Sequence, residues 1–279
     1  MAKKEQITEG MTEALLCPVC HGGMKRCDGS LLCESRHNYD IARQGYVNLI
    51  NTTSQKESGD SFECAQARVE FLSSGKYAAF RDAICEAAGR GRICIDAGCG
   101  EGYYTSALSY GFEYTYGFDL SKASITASAR RANAEGVSGK CFFGVGSVYS
   151  LPMRDGSADV VTNIFAPCVE EEYTRVLRDG GLLVVGCAGE RHLEGLKAAL
   201  YDEVRENTTR ADLPTNLEHV STRKVTYEIT LDSPELIRAL YMMTPYAYKT
   251  SAEAEARLLS RDSLSTIVDF DIHVYKKRA

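Results

Sequence analysis

The chain has 279 residues, 44% of them apolar, which is enough for one sizeable core and a small additional module. A net charge of −6 excludes a protein held on nucleic acid by bulk electrostatics, so any RNA contact must be local. Eleven cysteines, an odd number scattered from Cys17 to Cys187, suit a reducing compartment better than a disulfide framework, and no apolar run approaches the ~18 residues of a membrane span; a soluble, cytoplasmic chain with no membrane contact is expected.

Residues 1–50 are rich in cysteine and turns. Within them, "CPVCHGGMKRCDGSLLCESRH" sets Cys17 and Cys20 in a C-x-x-C knuckle and, after a twelve-residue gap, Cys33 and His37 as a second pair. Thiolate and imidazole ligands so paired give tetrahedral zinc, and four protein ligands leave no open position for chemistry, so the metal is read as structural. Such binding supplies about 10–16 kcal/mol of apparent folding free energy in small zinc peptides, which accounts for a fold with few apolar residues. His21 and Cys27 are alternative fourth ligands. Polar residues 51–60 read as a linker, and residues 61–279 as the main domain.

Beyond the linker, Phe62, Ala65, Val69 and Leu72, then Phe80 and Ile84, recur at helical spacing broken by "SSGK", which predicts two helices. From Arg92 the order is strand "RICIDAG", helix from Tyr103, strand "YTYGFDL", helix "KASITASARRANAEG", strand "CFFGVG", strand "ADVVTNIF", helix "VEEEYTRVL", strand "GLLVVGCA" and helix "HLEGLKAALYDEV". Short apolar strands alternating with amphipathic helices predict an α/β fold with a parallel, doubly wound sheet. The tail, "STRKVTYEITL", "PELIRALYMM" and "LSTIVDFDIHVYK", adds strand, helix and strand and can close the sheet with an antiparallel pair.

In "IDAGCGEGYYT", Asp96 ends the first strand and Gly98, Gly100 and Gly102 follow at alternate positions before a helix. Glycines let the backbone approach a ligand closely, and the ligand meets N–H groups at the helix start. The rival is a dinucleotide loop, but the last glycine comes one residue early for that fingerprint. Asp96 would repel a pyrophosphate, whereas it can hydrogen-bond an amino group. Both features favour S-adenosyl-L-methionine, whose methionine end carries an ammonium. Asp119, ending the second strand, lies where a carboxylate accepts ribose hydroxyls. Ser147 stands where many such sites carry an aspartate for the adenine amino group.

Together these elements resemble the RlmA-type 23S rRNA (guanine-N1)-methyltransferases over nearly the whole chain, in "CPVC…CESRHNYDIARQGYVNL", "GDSFECAQAR…FLSSGKYAAFRDAI", "DAGCGEGYYT", "FAPC", "ERHLEGLK" and "MTPYAY…FDIHVY". The zinc ribbon joined to "ARQGYVNL" is the more specific part of the match. The resemblance implies a zinc ribbon joined to a Rossmann-like class I methyltransferase domain. It implies methyl transfer to N1 of a guanine in a 23S rRNA hairpin loop, and a homodimer whose zinc modules flank an RNA cleft. It further implies cofactor contacts from Tyr77, Gly100, Glu101 and His192. The chain departs from relatives in having no tryptophan; Tyr248 and Tyr275 stand at comparable points.

For the target base, "NIFAPC" (Asn163 to Cys168) at the fourth strand's end is the candidate surface, with Asn163 and backbone carbonyls to grip a flipped guanine and Phe165 to stack on it. Glu101 is the candidate base. Arg36 and Arg43, with Tyr39 and Tyr46 beside them, are the cations and aromatics the zinc module can offer to RNA. A small-molecule methyltransferase, or a non-catalytic zinc-dependent RNA-binding protein, are the alternative readings; the zinc ribbon speaks against the first and the intact glycine loop against the second.

Overall fold

In the computed structural model, which describes residues 7–50, 61–208 and 213–278, the apolar runs become the strands of one sheet. The expected linker, 51–60, lies outside the described residues. The N-terminal module holds helix α1 (Glu9–Thr12), an antiparallel sheet of β1 (Met24–Cys27), β2 (Ser30–Cys33) and β3 (Asn38–Asp40), and strand β4 (Val47–Asn48). Two helices follow, α2 (Phe62–Ser73) and α3 (Ala78–Ala88), where two were expected. The inward stripe of α2 is Cys64, Ala65, Ala67, Phe71 and Leu72; Phe62, expected on that stripe, is the first helical residue and is 63% exposed.

The main domain then alternates β5 (Gly91–Ala97), α4 (Tyr103–Leu108), β6 (Phe112–Asp119), α5 (Lys122–Ala134), β7 (Cys141–Val145), β8 (Ala158–Ile164), α6 (Glu170–Val176), β9 (Leu177–Ala188) and α7 (Glu194–Leu200). It ends with β10 (Glu218–Leu231), α8 (Pro234–Met242), a 3-10 turn (Pro245–Tyr248), α9 (Ala252–Leu259) and β11 (Leu264–Lys276). Serines 61, 121, 233 and 251 cap α2, α5, α8 and α9 by accepting a backbone N–H three residues on, which satisfies donors left free at a helix start.

The sheet order is β10-β11-β9-β8-β5-β6-β7-β4. Every neighbouring pair from β9 to β4 is parallel, and β11 runs antiparallel between β9 and β10, the closing pair expected of the tail. The chain reverses direction across the sheet at β5, which pairs with β6 on one side and β8 on the other. Ligands of doubly wound sheets bind outside the carboxyl ends of strands at such a point, and Gly98, Asp119 and Phe165 all lie there.

The N-terminal module is built into the main domain. Its strand β4 pairs with Gly144 and Val145 of β7, Leu15 bridges to Met153, and the Tyr116 hydroxyl donates to the Met11 carbonyl at 2.8 Å. Met11, Leu15, Leu31 and Val47 are fully buried in one cluster with Ile95, Phe142 and Tyr173. Each such side chain contributes roughly 1.5–3 kcal/mol, so a continuous apolar core joins the two parts.

Candidate functional site

The metal ligands come together as the spacing predicts. Cys17, Cys20, Cys33 and His37 each place one ligand atom within 4.8 Å of the others. His37 Nδ1 lies 3.5 Å from Cys17 Sγ and 3.3 Å from Cys33 Sγ, and the Cys20 and Cys33 sulfurs are 3.6 Å apart. Zinc with Zn–S near 2.3 Å and Zn–N near 2.0–2.1 Å needs tetrahedral edges of about 3.5–3.8 Å, so three thiolates and an imidazole fit the ion. Both knuckles turn through a left-handed residue, His21 (φ 56°) and Arg36 (φ 64°). His21 is thereby part of the turn rather than a ligand, and Cys27, exposed at the end of β1, lies outside the quartet.

Tyr39 and Tyr46 are 8% and 7% exposed, so neither offers the face beside Arg36 and Arg43 that the sequence suggested. The Tyr39 hydroxyl is instead 3.2 Å from Cys17 Sγ, where it can donate to a metal-bound thiolate and hold it in place. Arg36 and Arg43 are exposed.

At the glycine loop the three glycines do different work. Gly98, Gly100 and Gly102 have φ of 80°, 54° and 83°, where L side chains are strained. A Cβ on Gly98 would overlap that of Ala166, and one on Gly102 would meet Ser128 at 2.9 Å; these two let the loop pack on its neighbours. Among the described residues a Cβ on Gly100 would meet the Arg68 side chain, no nearer than 3.4 Å, which leaves Gly100 as the most open point of backbone approach of the three.

Asp96 is 1% exposed and turned into the fold: Thr105 Oγ1 donates to one oxygen at 2.6 Å and Thr162 Oγ1 to the other at 2.8 Å. Burial raises its pKa to about 6, against those two hydrogen bonds and with Asp119 adding to the rise. The sequence suggested a direct grip on an ammonium. The geometry makes Asp96 a tie between β5, α4 and β8 that sets a buried negative charge beneath the loop. Asp119, half-buried at the end of β6, accepts from the N–H groups of Gly100 at 3.1 Å and Ser121 at 2.8 Å, so its carboxylate is fixed against the loop. Glu101 is 1% exposed and ion-paired with Arg131 at 3.2 Å. Burial raises its pKa to about 7 against the pull of Arg131 and Arg68. It anchors the loop to α5.

The opposite wall starts where β8 ends. Phe165 takes a left-handed conformation (φ 56°), is 48% exposed, and its ring lies 5.9 Å from Phe80, 6.0 Å from Phe270 and 6.2 Å from His192. Asn163, fully buried, fixes this turn: its Nδ2 donates to the Pro167 carbonyl and to the Tyr173 hydroxyl, both at 3.0 Å, and Tyr173 donates on to Pro167 at 2.9 Å. The Asn163 Oδ1 has no hydrogen-bond partner among the described residues. Asn163 thus shapes the turn that carries Phe165 from within.

His192 Nδ1 accepts the Asp269 N–H at 3.2 Å, and Nε2 lies 3.4 Å from the Tyr77 hydroxyl. Burial pushes its pKa down to about 3 despite Asp269, so the ring is neutral with its proton on Nε2, aimed at Tyr77. Tyr77 is 1% exposed, edge-on to Phe71 and Phe270 at 4.9 Å each, and its hydroxyl keeps a proton for a further acceptor. Tyr248 is 71% exposed, whereas Tyr275 is 5% exposed and inside the core. Thr105, Thr162, Arg131 and Asp269 were not legible as site residues, because each acts through a contact nine or more positions away in the chain.

This sheet order, a glycine loop backed by buried acids, and a four-ligand metal centre define a Rossmann-like methyltransferase with an N-terminal zinc ribbon. The negative charge of Asp96 and Asp119 suits a cationic methyl donor, and the open Gly100 leaves room for it. Residues 15–66 match the family model described as "RlmA, N-terminal", and residues 95–185 match "Methyltransferase domain". A Streptomyces fradiae protein named 23S rRNA (guanine(748)-N(1))-methyltransferase is 33% identical over 82% of this chain and 84% of its own length. YxjB of Bacillus subtilis (strain 168), whose name provisionally assigns it to the 23S rRNA (guanine-N1)-methyltransferases, is 30% identical over 94% of this chain and 96% of its own. The chain belongs to the 23S rRNA (guanine-N1)-methyltransferase family, and its cofactors are S-adenosylmethionine and a structural zinc ion.

Proposed function

We propose that this chain methylates N1 of a guanine in a hairpin loop of 23S rRNA, in the cytoplasm and as a homodimer. Relatives named for that reaction over most of the chain support the chemistry, and the zinc ribbon supports an RNA substrate over a small molecule. Among the described residues no helix is long and apolar enough to cross a membrane.

S-adenosylmethionine supplies an electrophilic methyl group on a sulfonium. The chain's own residues bind and orient. The Gly98–Gly102 backbone receives the donor at Gly100, Asp119 accepts its ribose hydroxyls, and Glu101 holds the loop in place. Tyr77 would serve the methionine end through its hydroxyl proton, with His192 orienting that hydroxyl by donating its Nε2 proton to the oxygen. Guanine N1 is protonated and weakly nucleophilic, so transfer requires in-line approach and loss of that proton before or during attack. The turn from Asn163 to Cys168 presents backbone carbonyls to the base edge, while Phe165 stacks on the flipped base.

The observation that carries this reading is Phe165: a phenyl ring 48% exposed, held by a strained backbone at the carboxyl edge of β8, just before Ala166, which packs against Gly98 of the glycine loop. Base stacking on such a ring contributes roughly 1–3 kcal/mol. Phe165→Ala should therefore lower kcat/KM for RNA by about 10- to 100-fold while cofactor affinity holds. Unchanged transfer in that variant would remove Phe165 from the target site, and a wild-type protein that transfers no methyl group to guanine N1 would overturn the reading.

A further inference from the structure

The connection between α7 and β10 carries no recognisable motif, yet polar side chains fasten it at both ends. At its start, Asn207 is fully engaged. Its Nδ2 donates to the carbonyls of Gly189 at 2.8 Å and His192 at 3.3 Å, and its backbone N–H donates to Glu190 at 2.9 Å. Its Oδ1 accepts from Lys197, a lysine 5% exposed whose ammonium also donates to the Arg205 carbonyl at 2.9 Å. Burying an ammonium is costly without such partners, so this end is a built contact. It fastens the chain to the turn that bears His192.

At the other end, the Glu170 carboxylate accepts the successive backbone N–H groups of Thr215, Asn216 and Leu217 at 2.6–3.1 Å, and the Asn216 amide at 3.2 Å. Hydrogen bonds to a carboxylate are roughly twice as strong as neutral ones. Glu170 opens α6, directly after the turn that presents Phe165. The first anchor therefore holds Asn207 to the turn that bears His192, the second holds residues 215–217 to the helix that follows the Phe165 turn, and the Phe165 and His192 rings are 6.2 Å apart.

We propose that the described parts of this connection, residues 201–208 and 213–217, form a wall of the target-base site, with Asn207 and Glu170 as the positioning residues that hold it. The inference rests on the proposed methyl transfer to RNA. It separates two tasks: the glycine loop holds the donor, and the anchored connection shapes the space the guanine enters.

The test uses the full, zinc-loaded chain and a 23S rRNA hairpin fragment, with kcat, KM for RNA, cofactor Kd and thermal stability measured together. Glu170→Ala should raise KM for RNA about tenfold and leave kcat and cofactor Kd within about twofold. Glu170→Gln keeps one oxygen for the backbone donors and should recover part of the loss. Asn207→Ala should raise KM similarly, and the double variant should be about as impaired as the worse single one, because either loss frees the same connection. Singles that match the wild type, or a Glu170→Ala defect that falls equally on cofactor binding and thermal stability, would overturn the inference while leaving the methyl-transfer reading intact. A wild-type protein that methylates no RNA would overturn that reading and the inference together.

Discussion

Gly98 and Gly100 sit two residues apart in one loop, and alanine at each should fail in a different way. At Gly98 the backbone is left-handed (φ 80°) and the new Cβ would overlap Ala166, whose backbone lies 3.8 Å away. The left-handed penalty is about 1–2 kcal/mol and overpacking about 1–3 kcal/mol, so Gly98→Ala should cost roughly 2–5 kcal/mol. For a chain of this size each kcal/mol moves Tm by about 2–4 °C, which gives a fall of roughly 5–20 °C. At Gly100 (φ 54°) the new Cβ would meet, among the described residues, the Arg68 side chain, at 3.4 Å from its guanidinium and 3.8 Å from Cδ, a flexible neighbour that can give by a few tenths of an ångström. The conformational term alone remains, and Tm should fall by roughly 2–8 °C. Cofactor affinity should nevertheless drop about tenfold or more in Gly100→Ala, because the methyl and the altered backbone stand where the donor approaches. Thermal melts and calorimetric titration of both variants decide it. Equal losses of Tm, or wild-type cofactor affinity in Gly100→Ala, would refute the division of labour drawn among these glycines.

Three further outcomes follow from the geometry. Purified protein should carry one zinc per chain, lost in His37→Ala and Cys33→Ser but kept in His21→Ala and Cys27→Ala; Tyr39→Phe should weaken zinc about tenfold in a chelator competition, and full retention there would remove the hydroxyl from the metal centre. Burial holds His192 at about 3, against about 6.5 in an unfolded chain, so the unfolded state takes the proton first and stability is lost as pH falls from about 6.5 toward 3. The Tm difference between wild type and His192→Gln should shift steadily against the wild type across that window, and a constant difference would show that His192 titrates normally. Arg36→Ala combined with Arg43→Ala, both exposed, should weaken RNA binding and reduce its salt dependence by up to about two counterions without changing cofactor affinity; superimposable salt curves would take the zinc module out of substrate recognition.

The strand order of the main domain and the zinc quartet were legible because both are written in local pattern: short apolar runs between helices, and ligand pairs at fixed spacing. What was hidden depends on neighbours distant in sequence. Nothing near Asp96 says that Thr162 will donate to one of its oxygens, so its tie between strands was hidden while its place before the glycine loop was plain. Gly98 is explained by Ala166, and Tyr39 by Cys17, contacts that exist only once the chain has folded. The tyrosines beside Arg36 and Arg43 looked available for stacking because their burial depends on the main domain, whose sheet β4 joins as an edge strand. In the sequence Glu170 stands as one of three successive acids, Glu170 to Glu172, with nothing to single it out. Only its five donors from residues 215–217 distinguish it from Glu171.

The most direct test of the account is to incubate the zinc-loaded protein with labelled S-adenosylmethionine and a 23S rRNA hairpin fragment, digest the RNA to nucleosides, and identify the labelled product by mass spectrometry. The expected product is 1-methylguanosine from a single guanine of the loop, with no label when that guanine is replaced by adenine. Label on an exocyclic amine or on another base, or RNA that stays unlabelled while the protein binds the donor, would contradict it.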